Sequence, residues 1–230
     1  MDESRVDKWK KGWEAGWIDF HMPKVNHSLV KYYGKLTGGK KGLRFFIPLC
    51  GKTLDMKWLS DQGQEVVGVE GVEMACEQFF QEQNMKYSIS DIPGIPDGKL
   101  FTGESGKIKL YKCDALAITS ALVGKFDAIW DRGSLVAMDP PDRAGYIKML
   151  KDVSKPGTNI LAEIYEYDWD QRIKQHAPYP FFRQDVDDIF ASWADVSEEE
   201  RYDKIDEKSV FREWGLTWMT NIVYIMKSKV

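Results

Sequence analysis

The sequence predicts an α/β fold built on a mostly parallel sheet, with a small-molecule site at one end of its strands. Three observations predict it. Residues 45–70 (FFIPLCGKTLDMKWLSDQGQEVVGVE) read as strand, tight turn, helix, polar turn and strand, which is a βαβ unit. Later apolar or alternating runs (KIKLYKCD, FDAIWD, NILAEIY) are separated by helical stretches. Polar groups fall at three strand ends, at Glu70, at Cys113-Asp114-Ala115 and at Asp131-Arg132. Ligands of open α/β sheets bind beyond those ends.

Taken in order, Trp9, Trp13 and Trp17 recur every fourth residue along one side of a helix, with Val6 nearby. Such a helix either staples aromatic bulk to the sheet or closes over a ligand, since indole offers a flat apolar face and one N–H donor. Residues 18–21 lead through Pro23 to a helix over about 28–36, ended by Gly38 and Gly39. Residues 43–48 form a strand buried on both faces. Met56, Trp58 and Leu59 supply the sheet-facing side of the next helix, and the β-branched Val66, Val67 and Val69 make the second strand. A helix over about 74–84 turns Phe79 and Phe80 inward, with Cys76 a small core residue.

Residues 89–98, with Pro93, Pro96 and Gly98, read as a loop. KLFTG-ESG-KIKLYKCD reads as a hairpin turning at Gly106. Residues 126–131 are a further strand. Asp139 is placed to cap a helix that starts at Pro140 and runs to about 153. Residues 159–165 are a strand, 167–182 a loop, 185–191 helical, and 193–204 polar and of undetermined form. Residues 218–226 are a last strand, paired antiparallel at the sheet edge. With no repeat, linker or low-complexity tract, residues 1–230 read as one domain, with lid helices in 1–40 and the α/β core in 41–230.

Composition narrows the function classes. The formal net charge of −4 argues against a nucleic-acid partner, which normally meets a basic footprint. Three cysteines at no ligand spacing fit a reducing compartment, and three histidines without an HxxxH or HExxH pattern argue against a metal. The first residues have no apolar core of a signal peptide, and no run nears the roughly 20 apolar residues of a membrane span. A soluble intracellular chain is expected.

The turn after the first strand, Leu49-Cys50-Gly51-Lys52, has one glycine. A dinucleotide site wants G-x-G-x-x-G so that backbone can approach a pyrophosphate. Gly51-Lys52-Thr53 resembles the end of a P-loop, but the first glycine of that motif would fall on Phe46, inside the strand. A ligand with ribose and adenine but no phosphate fits better, and S-adenosylmethionine is one. Glu70, about 20 residues beyond the first turn, is placed to accept from ribose hydroxyls.

Trp9, Trp13, Phe20-His21, FFIPLCGKTLDMKWL, VVGVE, WDRGSLVAM and the terminal EWG-plus-strand together resemble the thiopurine S-methyltransferase family over nearly the whole chain. The resemblance implies a Rossmann-like class I methyltransferase fold: a mostly parallel seven-stranded sheet with one antiparallel strand, helices on both faces and an N-terminal helical lid. It implies a cytoplasmic, metal-free enzyme, expected to act as a monomer, that moves a methyl group from S-adenosylmethionine to the sulfur of a small aromatic or heterocyclic thiol. By the same resemblance, Trp9 and Trp13 cover the cofactor and Leu49 and Gly51 approach its methionine portion. Glu70 binds the ribose, Asp114 and Ala115 border the adenine, Arg132 lies between methionine end and acceptor, and Phe20 lines the acceptor pocket. No general base is required, because a heteroaromatic thiol is already acidic; Arg132 is the candidate for holding a thiolate.

Two features stand apart from that pattern. Asp139-Pro140-Pro141 echoes a motif of nucleic-acid adenine methyltransferases but lies several residues past the strand, where a helix cap is the expected role. An arginine that vertebrate members carry four positions before the final Trp-Gly is Val210 here, with Arg212 two before Trp214. The donor is therefore better specified than the acceptor. The alternatives are a related halide, hydrosulfide or selenium/tellurium methyltransferase, or an S-adenosylmethionine-binding protein without catalysis.

Overall fold

Runs of residues with alternate side chains on opposite faces pair into one nine-stranded sheet in a computed structural model that describes residues 5–18, 20–205 and 210–230. Five strands run parallel: β1 (Arg44–Ile47), β2 (Glu65–Glu70), β5 (Ile108–Lys112), β6 (Phe126–Arg132) and β7 (Ser154–Glu166). β3 (Tyr87–Asp91) and β4 (Lys99–Gly103) add an antiparallel ribbon beside β5. β9 (Thr220–Ser228) is antiparallel to β7, and β8 (Ala194–Asp203) is antiparallel to β9. The order is β3-β4-β5-β2-β1-β6-β7-β9-β8. From β5 to β8 this is the expected seven-stranded sheet, with β9 as its one antiparallel strand.

The strands the sequence concealed are the edge strands. β8 reads ADVSEEERYD, and β3 is exposed over most of its length. An edge strand buries little, so its apolar signal is weak. Residues 89–91, read as the start of a loop, are the end of β3, which the Tyr87 ring holds against Phe80 at 4.7 Å and Phe101 at 5.6 Å. The final strand is not at the edge, because β8 covers its outer side.

The helices are α1 (Arg5–Glu14), α2 (His27–Thr37), α3 (Leu54–Asp61), α4 (Glu73–Glu82), α5 (Ser120–Val123), α6 (Arg143–Val153), α7 (Arg183–Phe190) and α8 (Val210–Glu213). One sheet face, with Phe45, Ile47, Val66 and Leu110, packs on Leu29, Met56, Leu59 and Phe79 from α2, α3 and α4. The opposite face, with Phe46, Val67, Val69 and Ile129, packs on Tyr146, Leu150 and Phe190 from α6 and α7. Successive residues of β1 therefore serve opposite cores.

Three local expectations are corrected. α2 is a core helix, not part of a lid; Leu29 and Leu36 are fully buried. α1 ends before Trp17, which leaves that indole 73% exposed and off the tryptophan stripe. Asp139 makes no capping bond: residues 140–142 form a short 3-10 turn ahead of α6, and Asp139 accepts from Tyr179 Oη at 2.7 Å.

Candidate active site

The β1–α3 turn depends on two left-handed residues, Leu49 at φ 44° and Gly51 at φ 50°. Cys50 N–H still donates to Val69 O at 2.9 Å, so the turn leaves the sheet directly beside β2. Behind it lies Gly68, where a Cβ would come within 2.6 Å of Cys50 Sγ and 2.8 Å of Leu110 Cδ2. Thr53 caps α3 through Asp55 N–H.

Glu70, at the end of β2, locks this turn. Its Oε2 accepts from Gly51 N–H at 2.9 Å and its Oε1 from Val72 N–H at 2.8 Å. Burial raises the Glu70 pKa, and the backbone donors oppose that rise. After β5, Asp114 Oδ1 accepts from Leu116 N–H at 2.9 Å, and Ala115 is buried beside it. Leu49–Gly51, Glu70, Asp114–Ala115 and Arg132 thus follow the carboxyl ends of four consecutive strands, β1, β2, β5 and β6.

Asp131 does not join them. Its side chain lies on the far side of the sheet, accepting from Tyr146 Oη at 2.7 Å and Leu135 N–H at 3.0 Å. Period-two alternation along β6 puts Asp131 and Arg132 on opposite faces, so one strand end yields one site residue.

The N-terminal segment lies over these strand ends. Trp13 is buried against Val72 and Ala75, with Trp9 half-buried beside it. Phe20 presents its ring edge-on to Trp9 at 5.9 Å and to Trp13 at 6.1 Å. Two residues that sequence reasoning did not assign reach further in. Arg5 donates to Asp114 Oδ2 at 2.8 Å and also pairs with Asp142, clasping α1 across the Asp114 end. The His21 ring covers Gly51 so closely that a Cβ there would lie 2.5 Å from His21 Cε1. His21 Nε2 is buried without a hydrogen-bond partner. Burial above all, then Lys52 and Arg132, lowers the His21 pKa to about 4, so the ring is neutral at pH 7. Adjacency to Phe20 was the one signal for His21; nothing in a lone N-terminal arginine pointed to Arg5.

Arg132 bridges the N-terminal segment and the sheet. Its Nη1 donates to Phe20 O at 2.6 Å, while its Nε stands 3.8 Å from Glu163 Oε2 and makes no hydrogen bond. Glu163 instead accepts from Ser28 Oγ at 2.7 Å and Asn26 Nδ2 at 3.2 Å. Arg132 and Glu163 are thus an ion pair without a hydrogen bond, and guanidinium donors remain for another acceptor. The Val210 side chain and residues 206–209 lie outside the described residues.

Strand order, the single-glycine turn and the strand-end carboxylates define a class I S-adenosylmethionine-dependent methyltransferase fold. A solved structure of the same architecture is the 1,6-didemethyltoxoflavin-N1-methyltransferase of Burkholderia thailandensis with bound S-adenosylhomocysteine (TM-score 0.62, 13% identity, 98% of this chain and 87% of that one). TehB from Haemophilus influenzae is a second (TM-score 0.61, 12% identity, 96% of this chain and 67% of that one). The chain belongs to the thiopurine S-methyltransferase family, whose model matches residues 4–229. It is 36% identical over 224 residues to a probable thiopurine S-methyltransferase of Danio rerio, covering 97% of this chain and 95% of that one. It is 37% identical over 226 residues to the thiopurine S-methyltransferase of Bos taurus, covering 97% and 90%.

The residues present suit a nucleoside ligand without phosphates. Glu70 accepts backbone N–H groups through both oxygens and keeps lone-pair capacity beyond them. Gly51 has no side chain, and the space over it is filled by His21 of the N-terminal segment rather than by the sheet. In the arrangement described, His21 stands over Gly51 and Arg5 holds Asp114, so a ligand reaching both points displaces part of the N-terminal segment.

Proposed function

We propose that this protein is an S-adenosylmethionine-dependent S-methyltransferase acting on small aromatic or heterocyclic thiols. The observation that carries the reading is the row of four consecutive strand ends, with Glu70 and the Gly51 turn at its centre and an aromatic lid above, in a chain of this family. In this reading residues 1–230 act as one catalytic domain, a cytoplasmic monomer that needs no metal, nucleic acid or membrane.

S-adenosylmethionine supplies an activated methyl group on a sulfonium, which an incoming sulfur takes by in-line displacement. The chain's part is binding, alignment and exclusion of water. Glu70 accepts from the ribose hydroxyls, and Asp114 accepts from the adenine amine once Arg5 has given way. Leu49 and Gly51 present backbone to the amino-acid end. Trp9 and Trp13 close over the site, and Phe20 sets the acceptor ring. Arg132 draws an anionic sulfur toward the methyl-bearing end and favours the thiolate over the thiol. Such alignment alone can contribute roughly 7–11 kcal/mol toward the barrier. No protein base is needed for a thiol already ionised near neutrality.

The test is transfer of labelled methyl from S-adenosylmethionine to a panel of thiophenols and heterocyclic thiols, run beside hydrosulfide and iodide. S-methyl products from the aromatic thiols are expected. Tight binding of S-adenosylhomocysteine without transfer to any of them would overturn the reading in favour of a non-catalytic binder. Preference for hydrosulfide or iodide would move the activity to the related small-nucleophile class.

A further inference from the structure

Arg132 on β6 and Glu163 on β7 are cross-strand neighbours, and both side chains border one cavity. The carboxylate is 3% exposed, yet it meets its cation loosely: Arg132 Nε stands 3.8 Å from Oε2 with no hydrogen bond. The hydrogen bonds Glu163 accepts come from two neutral donors, Ser28 Oγ at 2.7 Å and Asn26 Nδ2 at 3.2 Å. An ionised carboxyl group offers about four lone-pair sites, so capacity to take a proton remains.

Among the described residues, the other titratable side chains around Glu163 are Lys24, His27, Glu200, Tyr202 and Lys204 on the cavity wall and Tyr165 two residues along β7. Glu200 is held by Lys31 Nζ at 2.8 Å and by Tyr32 Oη at 3.2 Å, and His27 is exposed. Glu163 is the buried acid beside Arg132. One cation between a carboxylate and a sulfur offsets one negative charge at a time. A thiolate formed by loss of its proton to water would stand beside ionised Glu163, and like charges in a buried site oppose that state. Moving the proton from sulfur to Glu163 instead relocates a single negative charge from oxygen to sulfur, with Arg132 facing it before and after. The net charge around Arg132 does not change. The loose ion pair suits this exchange, since no hydrogen bond between Arg132 and Glu163 has to break.

We propose that Glu163 is the proton acceptor for thiols that reach the site still protonated. As the sulfur takes the methyl group, its S–H proton passes to a Glu163 oxygen. The S–H bond and the donor's S–CH3 bond break, and an O–H bond and the new S–CH3 bond form. The electron pair of the broken S–CH3 bond stays on the donor sulfur and cancels its sulfonium charge, and the proton on Glu163 then leaves to water through the cavity. The inference rests on the thiol-methylation reading and adds a catalytic group to it. Thiols already ionised bypass Glu163, so the two kinds of acceptor separate in a test.

The experiment follows methyl transfer to 4-nitrothiophenol, which is ionised at neutral pH, and to phenylmethanethiol, which is not, in the wild-type protein, Glu163→Gln and His27→Gln. Glutamine keeps an acceptor for Ser28 and removes the basic oxygen, and calorimetry with S-adenosylhomocysteine shows whether each variant retains its site. Glu163→Gln is expected to lower kcat for phenylmethanethiol at neutral pH by about 100-fold or more, the usual contribution of a positioned base. Its turnover of 4-nitrothiophenol should stay within about threefold of wild type, too small a change for the loss of a base. In the variant, the remaining activity on phenylmethanethiol should climb with pH in step with free thiolate, while the wild-type rate climbs less. His27→Gln should keep the wild-type ratio between the two thiols. Equal losses on both thiols, no loss on phenylmethanethiol, or the same selective loss in His27→Gln overturns the proposal. So does wild-type turnover of phenylmethanethiol that tracks free thiolate, a measurement that needs no variant. In each of these cases the wild type still methylates 4-nitrothiophenol. No transfer to 4-nitrothiophenol by the wild type removes the thiol-methylation reading itself, and this proposal with it.

Discussion

Glu70 has two assigned tasks, and removing its carboxylate touches both. Its carboxylate accepts the N–H groups of Gly51 and Val72, shaping the turn, and its remaining lone pairs are those assigned to the ribose. Glu70→Ala is expected to weaken S-adenosylhomocysteine binding by about 1–3 kcal/mol, the cost of unpaired polar groups. Calorimetry reads this directly, and an unchanged affinity removes Glu70 from the pocket. Gly51→Ala probes the other partner. At φ 50° a Cβ is strained, and here it also meets the His21 ring. The substitution should loosen the N-terminal segment, seen as increased Trp13 quenching by acrylamide, before it alters global stability.

At the scale of elements, α1 with Phe20 and His21 forms a cover whose contacts among the described residues include Trp13 on Val72 and Ala75, His21 on Gly51, and Arg5 on Asp114 and Asp142. The covering is pH-sensitive with a definite sign. Docked, His21 titrates at about 4; released, it returns to its ordinary value near 6.5. Between those values the released form binds the extra proton, so docking weakens as pH falls from about 6.5 toward 4 and is insensitive to this group above 6.5. Hydrogen exchange of residues 5–21 across that range should show the loosening, and His21→Gln should flatten it. Arg5→Gln removes the clasp on Asp114. It is expected to speed exchange in α1 at every pH and to leave exchange in β1 and β2 unchanged. Protection of α1 that is the same in the variant would show the clasp to be inert.

At the scale of the whole molecule, a buried polar chain ties the cover side of the sheet together. Asp55 on α3 accepts from Trp130 Nε1 on β6 and from Asn26 N–H, and Asn26 and Ser28 at the start of α2 reach Glu163 on β7, each direct bond 2.7–3.2 Å long. Trp130→Phe leaves the buried Asp55 short of one donor and is expected to lower unfolding stability by about 1–3 kcal/mol in urea titration. A shift within a few tenths of a kcal/mol would mean that Asp55 finds another donor. None of this chain was legible beforehand, because its members lie far apart in sequence and each alone reads as a surface polar residue or a helix cap.

What the sequence determined by itself was the local grammar and the family. β-branched runs, turn glycines and the strand-end acids marked the parallel strands, and the PLCGK turn excluded phosphate-binding patterns because one glycine is too few. It placed Leu49, Gly51, Glu70, Asp114, Ala115 and Arg132 at strand ends, since a strand end is a local property. Tertiary structure decided the rest. It turned Asp131 away from the site through strand alternation, took α2 into the core, and stranded Trp17 by ending α1 early. It also brought Arg5 and His21 to the strand ends from segments whose own patterns are silent. Such residues act through proximity, and proximity between distant segments is fixed only when the sheet has formed and the covering segments have packed upon it.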